Sequence, residues 1–203
     1  MRLTVAYLTV AVASGCTLVL ELVAGRLLAP FVGVSLQTWT SVIAVVLAGI
    51  SLGNYAGGVL ADRTRSDRML GLLLVAGGLA SLAVLPLAAG AGALAPRSLP
   101  FVTRIVLLTA LLFFVPCLVL GAIPPVAVKR AMTGLERSGK VVGRMYAVST
   151  AGSLAGAFLT GFVLIAHFGT RAIILCVGLT LIGLGAVAAA LCHDAASPAA
   201  PRA

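Results

Sequence analysis

The chain has 203 residues, 61% of them apolar and 9% charged, with a formal net charge of +9. That balance excludes an ordinary soluble domain, in which about a quarter of residues are charged, and makes lipid the solvent for most of the chain. Its four cysteines, Cys16, Cys117, Cys176 and Cys192, form no C-x-x-C pair or metal-ligand spacing, which gives disulfide frameworks and zinc sites no support.

Crossing a hydrocarbon core of about 30 Å takes about 20 apolar residues. Six such runs are readable: Leu3–Leu28, Thr38–Ala61, Met69–Ala89, Ile105–Ala122, Met145–Ala166 and Ala172–Cys192. The expected fold class is an all-α integral membrane protein with six transmembrane helices in one domain over residues 1–193. Residues 194–203, rich in Ala and Pro, are expected to form a disordered cytoplasmic tail. The cysteines fall in or at the end of spans, where buried packing is expected.

In the first span, Arg2, an apolar run and Ala13-Ser14-Gly15-Cys16 look faintly like a signal segment. The apolar run continues past Cys16 to Leu20, so the segment is read as a span. Glu21 is the one acidic residue clearly inside a span. A charge at mid-membrane costs a few kcal/mol on insertion scales, so Glu21 is expected to face the bundle interior, with a partner or protonated. Two roles fit: a proton or cation site, or an interhelical hydrogen bond or ion pair. Arg26, five residues on, lies about 140° around the helix, which makes it a poor partner for Glu21. It is expected at the outer interface, or paired with Gln37 or another helix.

The second span opens with Gln37, Thr38, Trp39 and Thr40, and a Trp at a helix end marks the headgroup belt. Gly49, Gly53 and Gly57 follow at intervals of four. That spacing stacks them on one face, where a second helix can approach backbone to backbone. Asn54, next to Tyr55, is deep and polar. It is expected to bond across the glycine-lined interface, with lining of a solute path as the alternative. The span ends in Asp62-Arg63, charges that anchor it at the water boundary.

Leu87–Pro100, rich in Ala, Gly and Pro, reads as a flexible external loop. The fourth span carries Pro116 and then Gly121-Ala122-Ile123-Pro124-Pro125, a pattern that predicts a kink followed by a break. A hinge and a simple bend around neighbouring helices both fit. In the fifth span, Gly152 and Gly156 form a second packing face. Ser51-Leu52-Gly53 leading to Gly58-Val59-Leu60 is echoed there by Ser153-Leu154-Ala155-Gly156 leading to Gly161-Phe162-Val163-Leu164. With short loops the two spans run in opposite directions, as in two inverted three-helix repeats. His167-Phe168-Gly169-Thr170-Arg171 reads as a plain turn, although a histidine at a membrane face is also able to sense pH.

Arg63, Arg65 and Arg68 lie in one loop, and Lys129, Arg130, Arg137, Lys140 and Arg144 in or beside another on the same side. The opposite side has Arg26, Arg97, Arg104 and Arg171. The positive-inside rule then puts both termini in the cytoplasm of an inner (cell) membrane protein, with anionic lipid headgroups as partners of the charge. Basic residues are not interleaved with aromatic ones, which disfavours nucleic acid. No G-x-S-x-G, H-E-x-x-H, P-loop or strand-following G-x-G-x-x-G occurs, so no catalytic set, metal or cofactor is expected.

Gly58-Val59-Leu60-Ala61-Asp62-Arg63 resembles the G-x-L-A-D-R signature between the second and third helices of major facilitator transporters. The resemblance implies that Asp62 and Arg63 form a conformational latch, the carboxylate meeting a helix N-terminus or an arginine. A solvated interfacial charge cluster is the plainer alternative. Two longer stretches extend the likeness. Glu21-Leu22-Val23-Ala24-Gly25-Arg26-Leu27-Leu28-Ala29-Pro30-Phe31-Val32-Gly33, with Thr38-Trp39-Thr40 and Gly49–Arg63, resembles the membrane domain of fused major-facilitator/spermidine-synthase-like proteins. Gly143-Arg144-Met145-Tyr146-Ala147-Val148-Ser149-Thr150-Ala151-Gly152-Ser153-Leu154, continued by Gly161-Phe162-Val163-Leu164-Ile165, resembles the same family's fifth span.

Ser149 stands where that family has Asn, and Ala166 where it has Pro, a change expected to straighten the end of the fifth helix. Family members carry a soluble Rossmann-type domain after the membrane helices. This sequence contains no counterpart, so no aminopropyltransferase residue carries over and enzyme activity is not expected. The resemblance implies a membrane anchor or transport module for a soluble synthase-like partner docked on the basic loops. The alternative is a small homodimeric major-facilitator-like transporter, and a complete membrane enzyme is a weaker third. Spermidine itself suits the chain poorly, because a polycation needs several carboxylates and this chain offers Glu21 within a positive overall field.

Overall fold

The computed structural model describes residues 3–64, 68–94, 99–132 and 138–194. Among these residues every regular element is helical: α1 (Leu3–Val32), α2 (Leu36–Arg63), α3 (Met69–Leu94), α4 (Phe101–Thr109), α5 (Val115–Gly121), α6 (Ile123–Ala131), α7 (Ser138–Phe158), α8 (Ile165–His167) and α9 (Thr170–Asp194). Two π-wound segments, Ala110–Phe114 and Leu159–Leu164, join α4 to α5 and α7 to α8. Six helices are long and apolar enough to cross a membrane: Thr4–Val32, Leu36–Arg63, Met69–Ala91, Phe101–Ala131, Gly139–His167 and Thr170–Ala190. The chain is a multi-pass membrane protein.

The spans sit where hydropathy puts them, but most run further. The helix α1 continues through Pro30 to Val32. It stops at Gly33, whose φ of +71° suits a residue without Cβ. Ser35 caps α2 by accepting from the Thr38 amide at 3.2 Å. The loop expected over Leu87–Pro100 is corrected in its first half, where α3 stays helical to Leu94. Pro86 lies inside that helix, and the Ala-rich run after it favours continued winding. Residues 95–98 lie outside the described residues, as do Arg65, Arg97 and Arg137. Asp194 closes α9, and the expected tail beyond it is likewise outside them.

The fourth span changes its winding without ending. Pro116 is the second residue of α5 and follows the π-wound Ala110–Phe114. The wider winding absorbs the donor that proline lacks. Only Ala122 interrupts the winding before α6 resumes with Pro124 in its first turn, where a missing N–H costs nothing. The end of the fifth span, from Leu159 to Leu164, is π-wound. Cys16 and Cys117 are buried as expected, whereas Cys176 is exposed on the outer face of α9.

Three helix pairings dominate: α1 with α7, α2 with α5, and α3 with α9. Each closes over small residues. A methyl group on Gly53 would overlap the Leu118 carbonyl, one on Gly49 would reach 3.0 Å from the Phe114 carbonyl oxygen, and Gly57 abuts Ala122. Gly152 meets the Ala11 carbonyl and Gly156 meets Gly15, while Gly71 faces Gly185 and Gly78 faces Gly178. Helices in lipid gain little from apolar burial, so close backbone packing carries their association. Hydroxyls in this setting bond their own helix: Thr9 donates to the Val5 carbonyl at 2.7 Å, Ser81 to Gly77 at 2.7 Å and Thr160 to Gly156 at 2.7 Å.

Candidate solute groove

A groove of about 580 Å³ lies between α1, α2, the fourth span and α7. Its α1 wall is Ser14, Thr17, Leu18 and Glu21, a spacing of three and four that places them on one face. The helix α2 supplies Ile50, Asn54, Gly58 and Asp62, and α7 supplies Met145, Tyr146, Ser149 and Ser153. The fourth span contributes Leu120, Gly121, Pro124 and Pro125, then Val128 and Lys129. The lining therefore runs from mid-span, at Glu21 and Ser153, to the helix ends at Asp62, Lys129 and Met132. That end carries the basic residues Arg63, Arg68, Lys140 and Arg144. Toward the other end Ala24, Leu28, Val42, Val46 and Phe113 are all at or near zero exposure within the core.

The polar wall is partly wired to itself. Ser14 Oγ and Ser149 Oγ are 2.7 Å apart, so one donates to the other. Ser153 donates to the Ser14 carbonyl at 3.3 Å and Thr17 to the Ala13 carbonyl at 2.9 Å. The Ser14–Ser149 contact ties α1 to α7. Glu21 faces this groove, and among the described residues no ion pair to it forms. Asn54 lines the groove, the second of the two roles expected for it.

Asp62 does meet a cation, supplied by the fourth span. Lys129 Nζ lies 2.8 Å from Asp62 Oδ1, both side chains being more than half exposed. Beside it, Arg130 donates to the Thr64 carbonyl at 2.7 Å. Arg63, the other half of the expected latch, is exposed and does not line the groove. Arg26 points away from Glu21, and its Nη1 donates to the Ile165 carbonyl at 3.3 Å at the opposite end of the bundle. Trp39 begins α2 as expected of an interfacial anchor and also packs its ring on Gly25 of α1. His167 is exposed, with Nδ1 2.9 Å from the Val163 carbonyl oxygen of its own helix.

Glu21, Asn54 and Asp62 thus come together along one groove, while Arg26 and Arg63 stay outside it. Sequence reasoning missed Ser14, Thr17, Ser149, Ser153 and Lys129. The helical spacing of Ser14, Thr17 and Glu21 was the available signal. Among the described residues no three His, Cys, Asp or Glu side chains gather as a metal site. What the arrangement offers is carboxylates and several hydroxyls along a groove that runs from mid-span to the basic helix ends. No protein-family model, curated protein or solved structure matches the chain.

Proposed function

We propose that the protein is a membrane transport module that takes a small solute into the groove beside Glu21, in a body resembling one half of a major facilitator fold. The groove with an acid at mid-span that forms no ion pair among the described residues carries this reading, because an ionisable group in lipid persists where it serves a pathway.

The packing supports two inverted three-span repeats. The contact of Gly49 with Phe114 and that of Gly152 with Ala11 differ by a constant shift of 103 residues, as do Gly53 with Leu118 and Gly156 with Gly15. The same shift carries the Leu82 contact of Gly178 onto the Val75 contact of Gly185. It also relates the Lys129–Asp62 pair at one end to the Arg26–Ile165 hydrogen bond at the other. Helices related in this way run in opposite senses. With the basic end in the cytoplasm, the groove opens inward.

Reconstitution in liposomes tests the reading. Solute flux is expected, with Glu21→Gln and Asp62→Asn each lowering it, the first by about tenfold or more, the loss of one interaction worth about 1.4 kcal/mol. Flux unchanged in both variants would remove these residues from the mechanism.

The membrane-anchor reading rests on the exposed Lys129, Lys140 and Arg144 at the groove's open end. These suit an acidic soluble partner resembling a synthase, and the absence of any soluble protein after purification in mild detergent would count against it. A homodimer, two six-helix bodies facing each other across the groove, would cover the exposed Tyr55 and Tyr146. Crosslinking in native membranes distinguishes it from a single copy.

A further inference from the structure

We infer that the groove selects a monovalent organic cation, one protonated amine on an apolar body, over both polyamines and anions. The inference rests on the transport reading of the same site. Its basis is an asymmetry of chemistry laid over a symmetric backbone. Ser14, Thr17 and Glu21 occupy α1 positions whose counterparts, 103 residues on, are Cys117, Leu120 and Pro124. Thr17 and Glu21 line the groove on one side, and their counterparts Leu120 and Pro124 line it on the other. One wall is therefore anionic and rich in oxygen acceptors, and the facing wall is apolar.

An ammonium group entering this depth loses much of its hydration, so it needs a counter-charge and acceptors for its N–H donors. Glu21 supplies the charge. Ser14, Thr17 and Ser149 present oxygens on the same side, and Ile50, Leu120 and Met145 receive an apolar body. A second ammonium finds no free counter-charge, because the groove's other carboxylate, Asp62, is already held by Lys129 at 2.8 Å. An anion would face Glu21 at the deep end with no cation there to offset it.

Calorimetry on the purified full chain in nanodiscs tests this, with benzylamine, spermidine and benzoate as probes at neutral pH. Benzylamine is expected to bind, spermidine to bind no tighter, and benzoate not to bind. Glu21→Gln should weaken benzylamine by about tenfold or more, and Glu21→Asp, which keeps the charge, should recover part of the loss if both variants elute as monodisperse species. The inference is overturned by spermidine binding more than about tenfold tighter, by benzoate binding, by benzylamine affinity indifferent to Glu21→Gln, or by no benzylamine binding at all. Liposomes that move another class of solute without binding benzylamine would overturn the substrate class alone. Benzylamine binding without any flux would overturn the transport reading alone.

Discussion

Glu21 was legible in the sequence because an acid in an apolar span is rare and costly enough to require a reason. The hydroxyls that complete its surroundings were not. A serine or threonine in any helix satisfies itself on the carbonyl four residues back, so Thr17, bonded to Ala13, looks the same in sequence whether it lines a groove or not. For Asn54 the sequence left two roles open for a related reason: a nearby glycine face suggests an interhelical bond, but Asn54 stands one residue beyond Gly53 and so about 100° around the helix. The Asp62–Lys129 pair joins residues 67 positions apart and needed the structure. Being exposed, it is expected to contribute no more than about 1 kcal/mol. Asp62→Asn should therefore leave the melting temperature in detergent within a few degrees of the parent while lowering flux. The charge swap Asp62→Lys with Lys129→Asp should recover flux if the contact itself matters. A swap as inactive as the single variant would show that the carboxylate acts by its position alone.

At the scale of the helix, spacing was the informative signal. Three glycines at intervals of four predicted a close-packed face, and the face is there, seated on the carbonyls of the fourth span. A larger side chain at Gly53 has to displace backbone, not a flexible neighbour. Gly53→Leu is expected to cost about 1–3 kcal/mol and lower the melting temperature. Gly183→Ala, where an added methyl meets nothing, should be neutral or stabilising by up to about 1 kcal/mol from helix propensity. Equal melting for the two variants would contradict this account of the packing. The continuation of α3 beyond Ala89 to Leu94 and the two π-wound segments were not legible, because the cost of a proline is local and its repair depends on which carbonyls the surrounding helices leave free.

The count of six spans is a whole-molecule property that hydropathy alone supplied, since each run is long enough to cross a bilayer. The helix pairing was not visible from composition, and the sequence echo between the second and fifth spans gave only a hint of it. Contacts at both ends of the bundle obey a 103-residue shift, and that shift needed the structure to be seen. An odd number of crossings separates Lys140 from Arg171, and both side chains are exposed. In a background with the native cysteines replaced, Lys140→Cys and Arg171→Cys should react with a membrane-impermeant thiol reagent from opposite sides. Reaction of both from one side would overturn the alternating topology.

The claim that matters most is that water and solute reach the middle of the bundle from the basic end only. Asn54→Cys and Ser149→Cys, on two walls of the groove, report on it in the same cysteine-free background. The impermeant reagent should label both from the side that labels Lys140→Cys and neither from the side that labels Arg171→Cys, with lipid-facing Leu79→Cys unreactive from both. Labelling of the groove positions from the Arg171 side, or from neither, would contradict the account.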